Sequence, residues 1–287
     1  LNHLSGWPAG GPHVLLRDGM QTLASSEIIV SGGRRFSRRL PKPEPGFNFY
    51  TLGAAERFLG LVDVTFSKDD ARLLSVVAMR LVGGKRAVNP FDVTDTVELD
   101  QSTAVVLDQF VSDGVLDWEV PDGKWAVVAS YVMPAGEAPT LVASERLGLV
   151  VNHLHAGKVI GHYNYAFGIR TGLDAHYGKA FKGFFNDSLE FKIDRIATTE
   201  ILEEFERRRG YDLRPYLPAV FYDASDNSFI FNPKRFAPLY RLSKDDKRIR
   251  YDYRKTISAL VMRHFYGEST AWAASLGLYS RAQSYGM

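Results

Sequence analysis

Phe181-Lys182-Gly183-Phe184-Phe185-Asn186-Asp187-Ser188-Leu189-Glu190 reads as a buried strand that turns polar at its C-terminal end. The residues on either side extend that reading. Thr198 or Thr199 is placed to cap a helix that runs to Arg209, with Ile201, Leu202 and Phe205 on one face and Gly210 as its stop. Tyr253 to about Ser275 carries Ile257, Leu260, Val261 and Phe265 at helical spacing, and Leu278 to Gln283 then looks like a second strand with a polar end. His153 to Phe167 is helical in pattern, closing near Gly168. Strand, helix and strand with polar strand ends is the pattern of a (β/α) barrel. The fold expected is therefore α/β, a partial (β/α)8 TIM-like barrel.

Upstream the texture changes. Residues 73–82, 96–99, 103–107 and 125–132 are strand-like, and Gly83-Gly84, Ser112-Asp113-Gly114 and Pro121-Asp122-Gly123 separate them as turns. An antiparallel β-region inserted in the barrel is expected over 57–134. Residues 1–56 are rich in glycine and proline, with one helical stretch near Asp18 to Ala24, and form the first part of the barrel. Residues 135–287 form its continuation.

Composition narrows the function. The 287 residues are 45% hydrophobic and 24% charged, which is globular and not disordered. Lys plus Arg is 35 and Asp plus Glu is 33, so the strong basic excess of a nucleic-acid binder is missing. No apolar run is long enough for a membrane helix. With no cysteine there are no disulfides, thiolate zinc sites or cysteine nucleophiles. The chain starts at Leu1 without a basic stretch leading into an apolar one, which fits a trimmed N-terminus and not a signal peptide.

At a barrel strand end, Asp187 and Glu190 would sit on the floor of an active site. A carboxyl among aromatic side chains is desolvated, so it holds a proton near neutral pH and can act as a general acid. Glu190 is that candidate, and Asp187 is placed to orient it, contact substrate or hold a cation. The alternative is a solvated turn after an edge strand. Arg281 and Gln283 end the last strand, and their multidentate side chains suit substrate hydroxyls, unless they only cap the chain end. Glu200 to Arg209 reads as a solvated helix face with acids early and bases late. His153 and His155 have metal-like spacing but lie in a helical stretch, and no third ligand is evident. Arg34, Arg35, Arg38 and Arg39 form a basic patch suited to phosphate, an acidic partner or plain solvent. P-loop, Gly-x-Ser-x-Gly and dinucleotide signatures are absent.

Several stretches together resemble the α-L-rhamnosidases of glycoside hydrolase family 106. They are Ser5-Gly6-Trp7-Pro8-Ala9-Gly10-Gly11-Pro12, Asp117 to Trp125, Gly148 to Leu154, Phe184 to Glu190, Phe205 to Asp212 with Tyr216-Leu217-Pro218, Asp252 to Thr256, and Arg281 to Gly286. Asn152 stands where the family has Asp, and Tyr285 where it has His. The resemblance implies removal of terminal α-L-rhamnose from glycans or glycosides, with inversion. It implies that Glu190 belongs to the catalytic pair and that Asp187 is important. Asp252 is a further candidate substrate contact beside Arg281 and Gln283. The resemblance implies calcium near the substrate hydroxyls in some members, no organic cofactor, no nucleic-acid or membrane partner, and export to the periplasm or the exterior. The family's second catalytic glutamate lies in a Pro-Glu-x-Glu block, which these 287 residues do not contain. The chain is thus expected to be part of a longer enzyme and inactive alone. Two other readings stay open: a carbohydrate-binding relative without a base, and a different glycosidase whose base is Asp212, Asp223 or Asp252.

Overall fold

The computed structural model describes residues 9–43, 67–84, 96–139, 148–189, 191, 195–221 and 239–283. Its strands in chain order are β1 (Gly10–Gly11), β2 (Gln21–Ser31), β3 (Arg34–Arg39), β4 (Arg72–Gly83), β5 (Val97–Val106), β6 (Val111–Ser112), β7 (Val115–Val120), β8 (Lys124–Pro134), β9 (Leu149–Val150), β10 (Gly183–Asn186), β11 (Ile196–Ala197), β12 (Tyr240–Leu242) and β13 (Tyr279–Ala282). The α-helices are α1 (Ala156–Tyr163), α2 (Ile201–Arg209), α3 (Leu217–Val220), α4 (Asp246–Val261) and α5 (Glu268–Ser275).

Strand β8 organises the molecule. Trp125 to Met133 are buried without a break, because both faces of the strand are covered. Side chains alternate across a strand. Trp125, Val127, Ala129, Tyr131 and Met133 therefore pack into one core, beneath Leu116, Trp118 and Val120 of β7. Ala126, Val128 and Val132 enter a second core together with the helices. The central sheet has the order β11-β2-β8-β4-β5-β12, antiparallel except for the β12–β5 pair, and the sheet β3-β7-β6 covers its first face. Trp118 meets Trp125 edge-on at 5.7 Å between the layers. The antiparallel β-region is thus a two-layer sandwich, and the fold is mixed α/β.

The helical stretch expected near Asp18 to Ala24 is not formed. A short 3-10 turn, Leu16–Asp18, leads directly into β2. This strand pairs with β8 without interruption, from Gln21 opposite Pro134 to Ser31 opposite Lys124. The long-range ladder satisfies eleven consecutive residues and overrides local propensity. The basic patch also falls on a strand. Arg34, Arg35, Arg38 and Arg39 are exposed along β3, at the edge of the small sheet. Charge on an edge strand opposes pairing with another chain. Arg35 Nε donates to Asp117 Oδ1 at 2.7 Å, and the guanidinium holds that carboxyl below the usual range.

The glycine pair at the N-terminal end answers to close packing. β1 lies antiparallel to β9, and a Cβ on Gly10 would stand 2.3 Å from the Leu149 carbonyl oxygen. Just beyond, the His13 ring stacks on Tyr165 with centroids 4.0 Å apart, and its Nε2 lies 3.0 Å from Nδ1 of His162 on α1. Burial first, and Arg170 second, lower the His13 pKa from 6.5 to about 4. The unfolded ring takes up a proton between those values while the folded ring does not. Stability is therefore full above the unfolded pKa, falls as pH drops through the window, and levels off below the folded pKa. The expected loss is about 2 kcal/mol, after allowing for the part of the ring that solvent screens. His13→Phe keeps the stack and removes the titration. Its melting temperature should fall less than that of the wild type between neutral and mildly acid pH. An equal fall in both proteins contradicts this assignment.

The helices follow the sequence pattern closely. Ile201, Leu202 and Phe205 of α2 are buried, and Gly210 closes the helix at φ +79°. Neither threonine caps it. Thr198 and Thr199 instead donate to the carboxylate of Glu200, the N-cap residue, and those bonds hold its pKa below the ordinary value against the opposing effect of burial. The helix expected from Tyr253 begins earlier, at Asp246. It continues through a π-helical turn, Met262–Gly267, into α5. A similar π-helical turn, Asn164–Ile169, extends α1.

Candidate active site

Strands β10 and β13 lie side by side and parallel, with Gly183 opposite Tyr279, Phe184 opposite Ser280, Phe185 opposite Arg281 and Asn186 opposite Ala282. The Gln283 N–H donates to the Asn186 carbonyl at 3.0 Å, which carries the pairing one step further. Paired residues of neighbouring strands share a face, and faces alternate along each strand. Phe184 and Asn186 are buried toward the helices. The Phe184 ring lies 5.1 Å from Tyr163, 4.9 Å from Phe167 and 5.9 Å from Trp272. The opposite face carries Phe185 and Arg281. Arg281 and Gln283 are exposed, while Phe185 and Asp187 are half-buried. Arg281 thus lies on the side away from the helices, and Asp187 and Gln283 follow directly after the C-terminal ends of the two parallel strands.

Glycine is required where the two strands meet. A Cβ on Gly183 would stand 2.3 Å from the Tyr279 carbonyl oxygen. After Asn186 the chain turns at once. Asp187 Oδ1 accepts the Ser188 N–H at 2.8 Å, and Ser188 and Leu189 are buried. Glu190 lies outside the described residues. The local turn ties one Asp187 carboxyl oxygen to the main chain.

Asp252 is placed elsewhere. It sits on α4, accepts from the Tyr211 hydroxyl at 2.9 Å and lies 4.0 Å from Arg248 Nη1. Burial, and then Asp252 itself, push the Tyr211 hydroxyl well above its ordinary pKa. Asp212 accepts from Arg214, through its main-chain N–H at 2.9 Å and Nη1 at 3.1 Å. Asp223 is outside the described residues. His153 is buried, with Nδ1 2.6 Å from the Val151 carbonyl and Nε2 accepting the Ala9 N–H at 3.3 Å. It fastens the N-terminal segment to the core. His155 sits just ahead of α1. Among the described residues no three His, Asp or Glu side chains are grouped to hold a metal ion.

One feature of the site escapes sequence reasoning. The Tyr163 hydroxyl bonds Asn186 Oδ1 at 3.1 Å and Ser269 Oγ at 3.0 Å. The partners lie 23 and 106 residues apart in the chain, so no local pattern announces them. The only local signal is an asparagine at the end of an otherwise apolar strand.

Comparison with known proteins places this geometry. Glycoside hydrolase family 106, described as alpha-L-rhamnosidase, matches residues 75–286. A Formosa agariphila protein named "Putative beta-glucuronidase" is 26% identical over 293 aligned residues, covering 99% of this chain and 23% of its own length. The structure of a rhamnosidase from Novosphingobium sp. PP1Y superposes with a TM-score of 0.55 at 16% identity, over 98% of this chain and 38% of its own. That likeness concerns the fold. The chain therefore spans well under half the length of either protein. With the family matched over most of its residues, the chain belongs to glycoside hydrolase family 106, the alpha-L-rhamnosidases.

Proposed function

We propose that these residues carry the acid side of an inverting α-L-rhamnosidase site, within a longer protein. One observation supports this most: Arg281 lies on the face of β10 and β13 away from the helices, and Asp187 and Gln283 follow directly after the C-terminal ends of those two strands. In a (β/α)8 wall the face away from the helices is the interior, and the C-terminal strand ends are where chemistry takes place. The β10–β13 pair with its helical backing is a part of such a wall.

Arg281 and Gln283 offer several N–H donors to the rhamnose hydroxyls, and Asp187 accepts from one of them. Glu190 follows Asp187 by three residues and protonates the glycosidic oxygen as the bond to the anomeric carbon breaks. Positive charge then develops at that carbon, and water adds from the opposite side of the ring. Inversion requires a base about 6.5–9.5 Å from the acid to take the proton of that water. Asp212 is engaged by Arg214, and Asp252 by Tyr211. The base is assigned to sequence beyond these residues, in the family's Pro-Glu-x-Glu block. The substrate class is a rhamnose-containing glycan or glycoside, and an exported location goes with it.

The test uses the full-length natural protein and an aryl α-L-rhamnoside, followed by proton NMR. β-L-rhamnose is expected as the first product, with the α anomer appearing only by mutarotation. The α anomer first would overturn inversion, and no release of rhamnose would overturn the reading as a whole.

A further inference from the structure

The end of β10 is fastened by a buried polar chain that the reaction above does not use. Ser269 on α5 donates to the Tyr163 hydroxyl at 3.0 Å, and Tyr163 on α1 donates to Asn186 Oδ1 at 3.1 Å. All three residues are buried, with Asn186 only 3% exposed. Asn186 also accepts the Gln283 N–H at 3.0 Å through its main-chain carbonyl. One residue thus ties two helices to two strand ends. Its neighbours are Asp187 along the chain and Gln283 across the sheet.

A second observation concerns the same side chain. Among the described residues, Asn186 Nδ2 is buried without a hydrogen-bond partner. A buried amide that is half satisfied lowers stability relative to an apolar side chain of similar size. Phe184, two residues earlier on the same face, shows that an apolar side chain is accommodated there. Packing alone does not select asparagine at this position, and such departures concentrate at functional sites. The Tyr163 ring is clamped among Phe167, Phe184 and Trp272, so the donor has little freedom to move. Burial raises the pKa of that hydroxyl, which stays a neutral donor at any working pH.

The geometry points to Asn186 as a positioning residue of the sugar site, with Tyr163 and Ser269 as its backing. The chain from Ser269 through Tyr163 to Asn186 sets the height and rotation of the β10 end against β13, and with it the spacing of Asp187 and Gln283. Asn186 lies on the helix side of the sheet and acts through its neighbours without touching substrate. This inference rests on reading the β10–β13 face as the sugar site.

The test uses the full-length protein with Tyr163→Phe, which keeps the ring and removes the donor, and with Asn186→Ala. For an α-L-rhamnoside, kcat per folded molecule should fall about 10-fold in the first and about 100-fold in the second, with KM changed less than about 3-fold. Should Asn186→Ala fail to fold, Tyr163→Phe carries the test. Amide hydrogen exchange gives a readout independent of turnover. The Gln283 N–H, bonded to the Asn186 carbonyl, should exchange about 10-fold faster in Tyr163→Phe. Unchanged exchange there, or kcat within about 2-fold of wild type in folded Tyr163→Phe, overturns the proposal. A rise in KM at constant kcat also overturns it, by making Asn186 a direct sugar ligand. If the wild type releases no rhamnose, the functional reading fails and the positioning role in a sugar site with it, while the exchange result still decides whether Tyr163 fastens the β10 end to β13.

Discussion

Glu190→Gln should lower the hydrolysis of an alkyl α-L-rhamnoside by about 10³-fold, and that of a dinitrophenyl α-L-rhamnoside by less than about 10-fold. The difference follows from the task assigned to the carboxyl. An alkoxide leaves poorly and needs a proton as the bond breaks, whereas a dinitrophenolate leaves well without one. Glutamine keeps the shape of the side chain and cannot supply the proton. The alkaline limb of the pH–rate profile reports loss of the acid's proton, so it should disappear in the variant. Equal losses on both substrates would mean that Glu190 is needed for shape or binding and not as the acid. Asp187→Asn should not discriminate between the leaving groups, since Asp187 is assigned to a sugar hydroxyl.

Gly183→Ala should destabilise the protein by about 3 kcal/mol and abolish turnover with it. The added methyl would lie 2.3 Å from the Tyr279 carbonyl oxygen and 2.8 Å from the Tyr279 ring. A side chain can rotate away, but the carbonyl belongs to the strand paired with β10. The two strands must part, and Asp187 and Gln283 separate with them. Gly161→Ala is the matched control. Gly161 lies within α1, and among the described residues nothing stands within 4 Å of its added methyl. Alanine there should be neutral or stabilising by up to about 1 kcal/mol. Urea denaturation of the two variants measures both effects, and similar stabilities would contradict the close approach of β10 and β13.

What could be read from the sequence depended on the range of the forces involved. The apolar run of residues 125–132 announced the strand β8. The spacing of Ile201, Leu202 and Phe205 before Gly210 announced a helix and its end. In each case the signal and its cause lie within a dozen residues. Strand β2 was misread because its conformation is imposed by a ladder to β8, about a hundred residues downstream. The start of α4 was missed because Asp246 to Asp252 is mostly polar and carries few apolar marks.

The site divides in the same way. Asp187, Arg281 and Gln283 were picked out as polar residues that end apolar strands, and the parallel pairing of β10 with β13 sets those two strand ends side by side. Asp252 was one candidate among several carboxylates, and its partner in the structure is Tyr211. The Tyr163–Asn186–Ser269 chain was invisible, since a buried hydrogen bond between distant residues leaves no periodicity.

The central claim is that the face formed by Asp187, Arg281 and Gln283 receives α-L-rhamnose. The most direct measurement compares kcat/KM of the full-length protein on an aryl α-L-rhamnoside and on the aryl β-D-glucuronide with the same leaving group. Turnover of the rhamnoside with the glucuronide inert is the predicted result. Turnover of the glucuronide alone would contradict the claim, because these strand ends would then bind an acidic sugar of a different shape.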